Sequence, residues 1–229
     1  MSRKVIVSLD FDSAEEALAL VSALGTGSDF YKIGIQALLA AGPQLPRALV
    51  EQGKHVFLDL KLHEIPNSVA QAVRVAGKVG AGMVTVHATA GSAVLRAAVE
   101  AAQSFPGLRV LALTVITSLS DADLPEIGLA PSVDTQVARL AALAWSAGCH
   151  GVVASPNEAA AVRMHMPSHK LIVCPGIQLP GAGASDQARV ATPAAAARAG
   201  ATHIVVGRAV TSAADPLEVF GRIKREFES

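Results

Sequence analysis

The sequence predicts a (β/α)8 barrel, a closed parallel sheet of eight strands surrounded by helices. Short runs of β-branched residues alternate with Ala/Leu-rich stretches along the whole 229-residue chain, giving eight strand-then-helix units with no linker. The strand runs are continuously apolar, as a parallel sheet buried on both faces requires. The length is typical of one such barrel, so we predict a single domain over residues 1–229.

The predicted elements follow one another in a regular order. The strands are placed at Lys4–Leu9, Phe30–Gly34, His55–Leu60, Met83–His87, Arg109–Thr114, Gly151–Ala154, Lys170–Cys174 and His203–Val206. The helices are placed at Ser13–Leu24, Gln36–Gln52, Ser68–Gly80, Ser92–Ser104, Asp134–Gly148, Asn157–Met166, Thr192–Ala199 and Pro216–Phe227. Ser13 is a suitable N-cap for the first helix, and Asn67 or Ser68 for the third.

A doubly wound open sheet is the alternative fold. It would require a glycine-rich turn after the first strand, and the sequence there, LDFDSAEEA, has no glycine. The barrel is therefore the favoured fold class.

Composition excludes several classes of protein. The formal net charge is zero, which argues against binding nucleic acid or a membrane surface by bulk electrostatics, and 3% aromatic residues make a base-stacking platform improbable. Despite a mean hydropathy of +0.42, charged residues, Gly or Pro interrupt every apolar run before the length of about 18 residues that a membrane span needs. The apolar run at the N-terminus is too short for a signal peptide. Cys149 and Cys174 fit no metal-binding spacing, so we expect reduced, buried thiols and a cytoplasmic location.

The most informative stretch is Phe57–Val69, FLDLKLHEIPNSV, which begins as a buried strand and ends as a charged loop. Strand geometry places Asp59 and Lys61 on one face, separated by roughly 7 Å. A structural ion pair would explain two such residues, because unpaired charges are costly to bury. Further polar residues at the ends of the other strands favour a functional site instead.

Those residues follow or end the predicted strands, where active sites of (β/α)8 barrels lie. They are Asp10, Lys32, Asp59, Lys61, His87, Thr117, Ser155, Gln178, Gln187, Gly207 and Arg208. The interior of an eight-stranded barrel is normally filled with branched apolar side chains, so charges clustered at one end indicate a site.

The last two loops predict a phosphate-binding site. The loop PGIQLPGAGASDQARV offers backbone N–H groups and side-chain amides, and VVGRAVT offers the Gly207 amide and the Arg208 guanidinium. The first loop is long for a compact domain, which suggests an active-site lid. No HxH or HExxH spacing suggests a metal site, so His63, His87 and His203 are interpreted as packing or hydrogen-bonding residues.

Over nearly its whole length the chain resembles the short bacterial orotidine 5′-phosphate decarboxylases. The motifs that carry the resemblance occur in the family's order: LDFDS at 9–13, YKIG at 31–34, FLDLKLHEIPNSV at 57–69, LTVITS at 113–118, GVVAS at 151–155, CPGI at 174–177, DQARVATP at 186–193 and IVVGRAVTSAADP at 204–216. The resemblance implies a homodimeric, cofactor-independent lyase of pyrimidine biosynthesis.

The resemblance also implies residue roles. Lys61 would protonate C6 of the pyrimidine, Asp59 would face the substrate carboxylate, and Lys32 would orient Asp59 and touch the ribose. The remaining contacts would be made to the ribose by Asp10, to the ring by Thr117 and Ser155, to the phosphate by Gln187, Gly207 and Arg208, and across the dimer interface by Glu64 and Ser68.

Three positions depart from the family pattern. Glu64 stands where the family has aspartate, Ser68 where it has threonine, and Gln178 where it has an arginine that contacts the phosphate. These departures leave two alternatives open. One is a metal-dependent sugar-phosphate decarboxylase or aldolase of the same superfamily, and the other is a nucleotide-binding barrel with impaired turnover.

Overall fold

The strands form a closed parallel barrel, which confirms the predicted fold class. The computed structural model describes residues 3–179 and 189–229, and within them each strand pairs with the next while β8 pairs with β1. The strands are β1 Lys4–Ser8, β2 Phe30–Gly34, β3 His55–Leu62, β4 Met83–His87, β5 Arg109–Leu113, β6 Gly151–Val153, β7 Leu171–Cys174 and β8 His203–Val206. The predicted lid falls mainly on residues 180–188, which lie outside the described residues.

Helices follow the strands and cover the outside of the barrel. In the described ranges they are α1 Ala14–Leu24, α2 Ile35–Ala41, α3 Gln44–Glu51, α4 Pro66–Val79, α5 Ser92–Ala102, α6 Val133–Ser146, α7 Pro156–His165, α8 Pro193–Arg198, α9 Arg208–Thr211 and α10 Pro216–Glu228. Single 3₁₀ turns lie at Ala88–Ala90 and Leu124–Ile127. Within residues 3–179 and 189–229, no helix is long and apolar enough to cross a bilayer.

Two helix predictions are wrong in detail. The predicted helix Gln36–Gln52 is two helices, because Gly42 has φ +68° and Pro43 follows it, and neither residue continues a helix. The third predicted helix begins earlier, at Pro66, because proline fits the first helical position, where its missing N–H is not needed. Asn67 and Ser68 are therefore not the N-cap, although the predicted cap of α1 by Ser13 is confirmed.

The core has two parts on either side of the sheet. Alternate strand residues such as Val5 and Val7 pack outward against the helices, whereas Ile6 points into the barrel with Phe30 and Phe57. Cys149 and Cys174 are buried and unpaired, as expected, and burial raises the pKa of the Cys149 thiol to about 12. Apolar side chains fill the middle of the barrel, and the charged side chains cluster at its carboxyl end.

His203 is buried at the opposite, amino-terminal end of the barrel. Its Nδ1 lies 2.9 Å from Thr202 Oγ1, and the Thr202 hydroxyl donates to the carbonyl of Ile172 at 3.0 Å. Nδ1 of His203 is therefore the donor of that pair, which fixes a neutral tautomer. Burial, with a smaller effect of Lys4, lowers the pKa of His203 to about 4.

This histidine makes stability depend on pH. Because its pKa in the folded protein is below the value of about 6.5 in the unfolded chain, the unfolded chain binds more protons between pH 4 and 6.5. We therefore expect the free energy of unfolding to have its full value above pH 6.5. It should decrease, by on the order of 3 kcal/mol, as pH falls towards 4. Urea unfolding of His203→Asn, which keeps an N–H donor but does not titrate, should show a flatter pH profile. His165→Asn, at an exposed position on α7, should keep the wild-type profile.

Candidate active site

A cavity of about 880 Å³ opens at the carboxyl ends of the strands. The predicted site residues that line it come from six different strands or strand ends: Asp10, Lys32, Asp59, Lys61, Thr117, Gln178, Gly207 and Arg208. Residues far apart in the sequence are thus brought to one rim by the closure of the barrel, as the fold predicts.

Four of these side chains form a row of alternating charge across β1, β2 and β3. Lys32 Nζ lies 3.2 Å from Asp10 Oδ1 and 3.5 Å from Asp59 Oδ2. Lys61 Nζ lies 2.7 Å from the same Asp59 oxygen. The Lys32 and Asp59 side chains are nearly buried, with 11% and 12% exposure, whereas Lys61 is 39% exposed towards the cavity. The row therefore presents an ammonium to a bound ligand.

Asp59 is the centre of the row. Burial by itself would raise its pKa, but the charges of Lys32 and Lys61 and hydrogen bonds from Lys61 and Thr85 outweigh that effect and lower it. The Thr85 hydroxyl donates to Asp59 Oδ1 at 2.9 Å, so each carboxylate oxygen has a partner. Asp59 is thus a carboxylate at neutral pH even though it is buried.

The backbone between Asp59 and Leu62 is not a regular strand. The pairing of β3 with β4 shifts from Leu58 opposite Val84 to Leu62 opposite Val86, so β3 carries extra residues over this interval. Lys61 takes φ +47°, a left-handed conformation that is costly for any residue except glycine. The expected spacing of roughly 7 Å refers to residue positions along a regular strand. In the folded protein the Lys61 ammonium contacts the Asp59 carboxylate directly, and it does so from this irregular backbone.

Three further residues support the row, and the sequence analysis did not identify them. Thr85 Oγ1 also accepts the backbone N–H of Lys61 at 2.9 Å, which holds the irregular segment in place. The Ser8 hydroxyl donates to Asp10 Oδ2 at 2.6 Å. A Cβ at Gly34 would lie 3.1 Å from Asp10 Oδ1 and 3.2 Å from Lys32 Nζ, so a larger residue there would crowd these two charged groups. Polar residues inside apolar strands are the sequence signal for Ser8 and Thr85.

A second wall of the cavity, at the exits of β7 and β8, consists of main chain, neutral polar groups and the Arg208 guanidinium. The backbone N–H of Gln178 donates to Ala191 O at 3.0 Å, and Ala191 N–H donates to Gly176 O at 3.0 Å, so the segment after residue 188 pairs with the exit of β7. Gly207 precedes α9, and Arg208 is exposed at the mouth of the cavity. Amide groups and a guanidinium on this wall suit an anionic ligand group.

Three predicted site residues, Glu64, Ser68 and Ser155, are not part of this lining. Glu64 is exposed on the loop after β3, where its carboxylate accepts the Ile65 N–H at 3.0 Å. This hydrogen bond, and to a smaller extent one from the Ser68 side chain, lowers the pKa of Glu64. Ser155 is fully buried and caps α7, accepting the N–H of Asn157 at 3.2 Å. Gln187 lies outside the described residues. Roles for these residues in ligand binding remain predictions.

The histidines near the site form a small cluster beside Lys61. The rings of His63 and His87 are 5.3 Å apart, and His87 Nδ1 lies 2.7 Å from Thr89 Oγ1. Burial lowers the pKa of His87, and the nearby His63 and Lys61 lower it further. Their packing agrees with the interpretation from the sequence.

The fold and this rim define a (β/α)8-barrel protein whose site combines a row of alternating charges with a second wall of amide groups and a guanidinium. The chain belongs to the orotidine 5′-phosphate decarboxylase / HUMPS family, whose sequence model matches residues 3–223.

Individual relatives cover almost the whole chain. A protein of Alkalilimnicola ehrlichii named orotidine 5′-phosphate decarboxylase is 50% identical over 225 residues, which are 98% of this chain and 96% of the relative. A protein of Anaeromyxobacter sp. with the same name is 47% identical and covers 94% of both chains. The crystal structure of orotidine 5′-phosphate decarboxylase from Lactobacillus acidophilus superimposes with a TM-score of 0.88 at 35% identity, covering 99% of this chain and 100% of that one.

The left-handed backbone of Lys61 gives a direct test of the site's geometry. Because φ is +47°, Lys61→Gly should be more stable than Lys61→Ala by about 1 kcal/mol in urea unfolding, both variants having lost the same ammonium. At Lys78, in the last turn of α4, the order should reverse, since glycine is the poorer helix former by about 1 kcal/mol. Equal stabilities of the two Lys61 variants would contradict the strained conformation.

Proposed function

We propose that this protein decarboxylates orotidine 5′-monophosphate to uridine 5′-monophosphate, the last step of de novo pyrimidine synthesis, without a cofactor. The observation that carries the proposal is the contact of Lys61 Nζ with Asp59 at 2.7 Å on a cavity that is also lined by Gln178, Gly207 and Arg208. Membership of the family and the names of its relatives support the same reaction. We take residues 1–229 as one domain and the cytoplasm as its location, both as predictions.

The chemistry requires stabilisation of a carbanion. Loss of carbon dioxide leaves an electron pair at C6 of the pyrimidine ring, in the ring plane, where the ring itself does not delocalise it. An ammonium fixed beside that carbon stabilises the developing negative charge and then transfers its proton to it. We assign this role to Lys61, which is held by Asp59 and remains partly exposed to the cavity.

Asp59 and Lys32 organise the reacting groups in this proposal. Asp59, ionised and buried, would lie next to the substrate carboxylate, so that departure of carbon dioxide relieves the repulsion between two anions. Lys32 lies between Asp10 and Asp59 and fixes both carboxylates, while Asp10 is exposed enough to bind the ribose hydroxyls. Because these groups are already in place before the substrate binds, little reorganisation opposes the reaction.

Binding energy would come from the phosphate. Gly207 and Arg208 follow β8, which pairs with β1, and Gln178 stands on the neighbouring loop after β7. Gln187 would add a side-chain amide, and Thr117 would face the ring. Gln178 donates a hydrogen bond without charge, so we expect weaker phosphate binding than an arginine would give at this position. Energy from this remote contact supports catalysis when it aligns the reacting carbon with Lys61.

The reaction is tested by an assay with and without a chelator. We expect carbon dioxide release from orotidine 5′-monophosphate to be unaffected by EDTA, and Lys61→Ala to lower kcat by about 10⁴-fold or more. Lys54→Ala is the matched control, because Lys54 Nζ donates to Gly25 O and Ser28 O, outside the cavity. Activity on a ketose phosphate that EDTA abolishes would point instead to the metal-dependent relatives.

We further propose a homodimer whose sites are shared between subunits. Ile65, next to Glu64 on the loop after β3, is 61% exposed, and Leu39 on α2 is 81% exposed. Large apolar side chains in such positions are typical of contacts with another chain. In this arrangement Glu64 and Ser68 complete the partner's site, which accounts for their placement outside the cavity of their own subunit.

Mixing two inactive variants tests the shared site. Lys61→Ala and Glu64→Ala should each be nearly inactive, and after equal mixing and subunit exchange about a quarter of the wild-type activity should return, because half of the dimers are hybrids with one intact site each. If each subunit supplied its whole site, the mixture would be no more active than the average of the two variants. Mixing Lys61→Ala with Asp59→Ala, two residues of the same cavity, is the control that should restore nothing.

A further inference from the structure

The structure contains a second buried ion pair at the carboxyl end of the barrel, apart from the row of charges. Arg189 Nη1 lies 2.9 Å from Glu158 Oε1, and the two side chains are 12% and 3% exposed. Neither residue lines the cavity. Burial raises the pKa of Glu158 and the charge of Arg189 opposes that effect, so the carboxylate depends on its partner for its ionised form.

This pair connects three loops. The second terminal nitrogen of Arg189 donates to Ile116 O at 3.0 Å and to Val115 O at 3.4 Å, on the loop after β5. The other oxygen of Glu158 accepts the N–H of Ser155 at 3.0 Å, on the loop after β6. Two residues after Arg189, Ala191 pairs with the exit of β7. One guanidinium therefore sets the relative positions of the loops after β5, β6 and β7.

Stability alone accounts poorly for such an arrangement. A buried ion pair often stabilises a fold no more than apolar residues of the same volume do, because both charges must be desolvated. Within the described residues Arg189 Nε is buried without a hydrogen-bond partner, which adds a further cost. Two loops joined by the pair carry cavity-lining residues, Ile116 and Thr117 on one and Gly176–Gln178 on the other.

We propose that Arg189 and Glu158 are positioning residues that fix the ligand-binding wall formed by the loops after β5 and β7. The inference rests on the proposed function only for the identity of the ligand, a nucleoside monophosphate. The reacting charges lie on β1, β2 and β3 and have no contact with this pair. Loss of the pair therefore weakens substrate binding and leaves the chemical step nearly unchanged.

The test separates KM from kcat. Arg189→Met should raise KM for orotidine 5′-monophosphate about tenfold while kcat changes less than about threefold. Arg189→Lys, which keeps the charge but not the fork that reaches two carbonyls, should raise KM by about threefold. Glu158→Gln should behave like Arg189→Met. Arg222→Met is the control, since it removes the exposed pair with Glu226 on α10, and it should change neither constant.

A purely structural role gives a different result. A variant that is only less stable has fewer active molecules, so its apparent kcat falls and its KM stays at the wild-type value, and that outcome overturns the proposal. If Arg189→Met does not fold, the same comparison of KM and kcat with the wild-type protein is made with Arg189→Lys.

Amide hydrogen exchange at residues 114–119 provides a measurement that needs no activity. Exchange there should be faster in Arg189→Met and Arg189→Lys than in Arg222→Met, at temperatures where all are folded. Unchanged exchange overturns the inference. An inactive wild-type protein that shows the faster exchange in these variants overturns the proposed reaction and leaves the positioning role standing.

Discussion

A carboxylate held between two ammonium groups is the constraint on which the site depends. Asp59 is buried at the rim, and it stays ionised because Lys32 and Lys61 contact the same oxygen while Thr85 donates to the other. Removing either lysine would leave the buried carboxylate with less charge compensation, and removing the Thr85 hydroxyl would leave one oxygen without its hydrogen bond. The irregular pairing of β3 and the close approach of two charged groups to Gly34 accompany these contacts.

The rim divides into two halves with different physical properties. On β1 to β3 the site consists of charged side chains that neutralise one another and are fixed by short contacts. On β5 to β8 it consists of loops, backbone amides and a guanidinium, and the Arg189–Glu158 pair joins the loops after β5, β6 and β7. Rigid charges suit the chemistry, which tolerates little displacement, and loops suit the recognition of a phosphate that must enter and leave.

The sequence predicted the fold and the centre of the site because both depend on the order and spacing of residues along the chain. Eight alternations of an apolar strand with a helix predict a barrel. Asp59 and Lys61 lie at the carboxyl end of the third strand, which is on the rim of such a barrel. An ion pair between them is one of the two explanations that the sequence offers, but a regular two-residue period cannot reveal the irregular pairing of β3 or the left-handed backbone of Lys61. Gly42 and Pro43 are residues at which helices commonly end, but the apolar pattern on both sides of them predicts one continuous helix. The hydrogen bond from Thr85 to Asp59 could not be predicted, because it depends on how β4 is aligned with β3 in the folded sheet.

The alternation of charge has a consequence for how the ligand arrives. Two carboxylates and two ammonium groups cancel, and the whole chain also carries a formal net charge of zero. The row itself therefore adds little net charge to the field at the mouth of the cavity, so attraction of an anionic ligand there depends on local groups such as the Arg208 guanidinium. A local attraction of this kind reaches only about one Debye length, roughly 8 Å at physiological ionic strength.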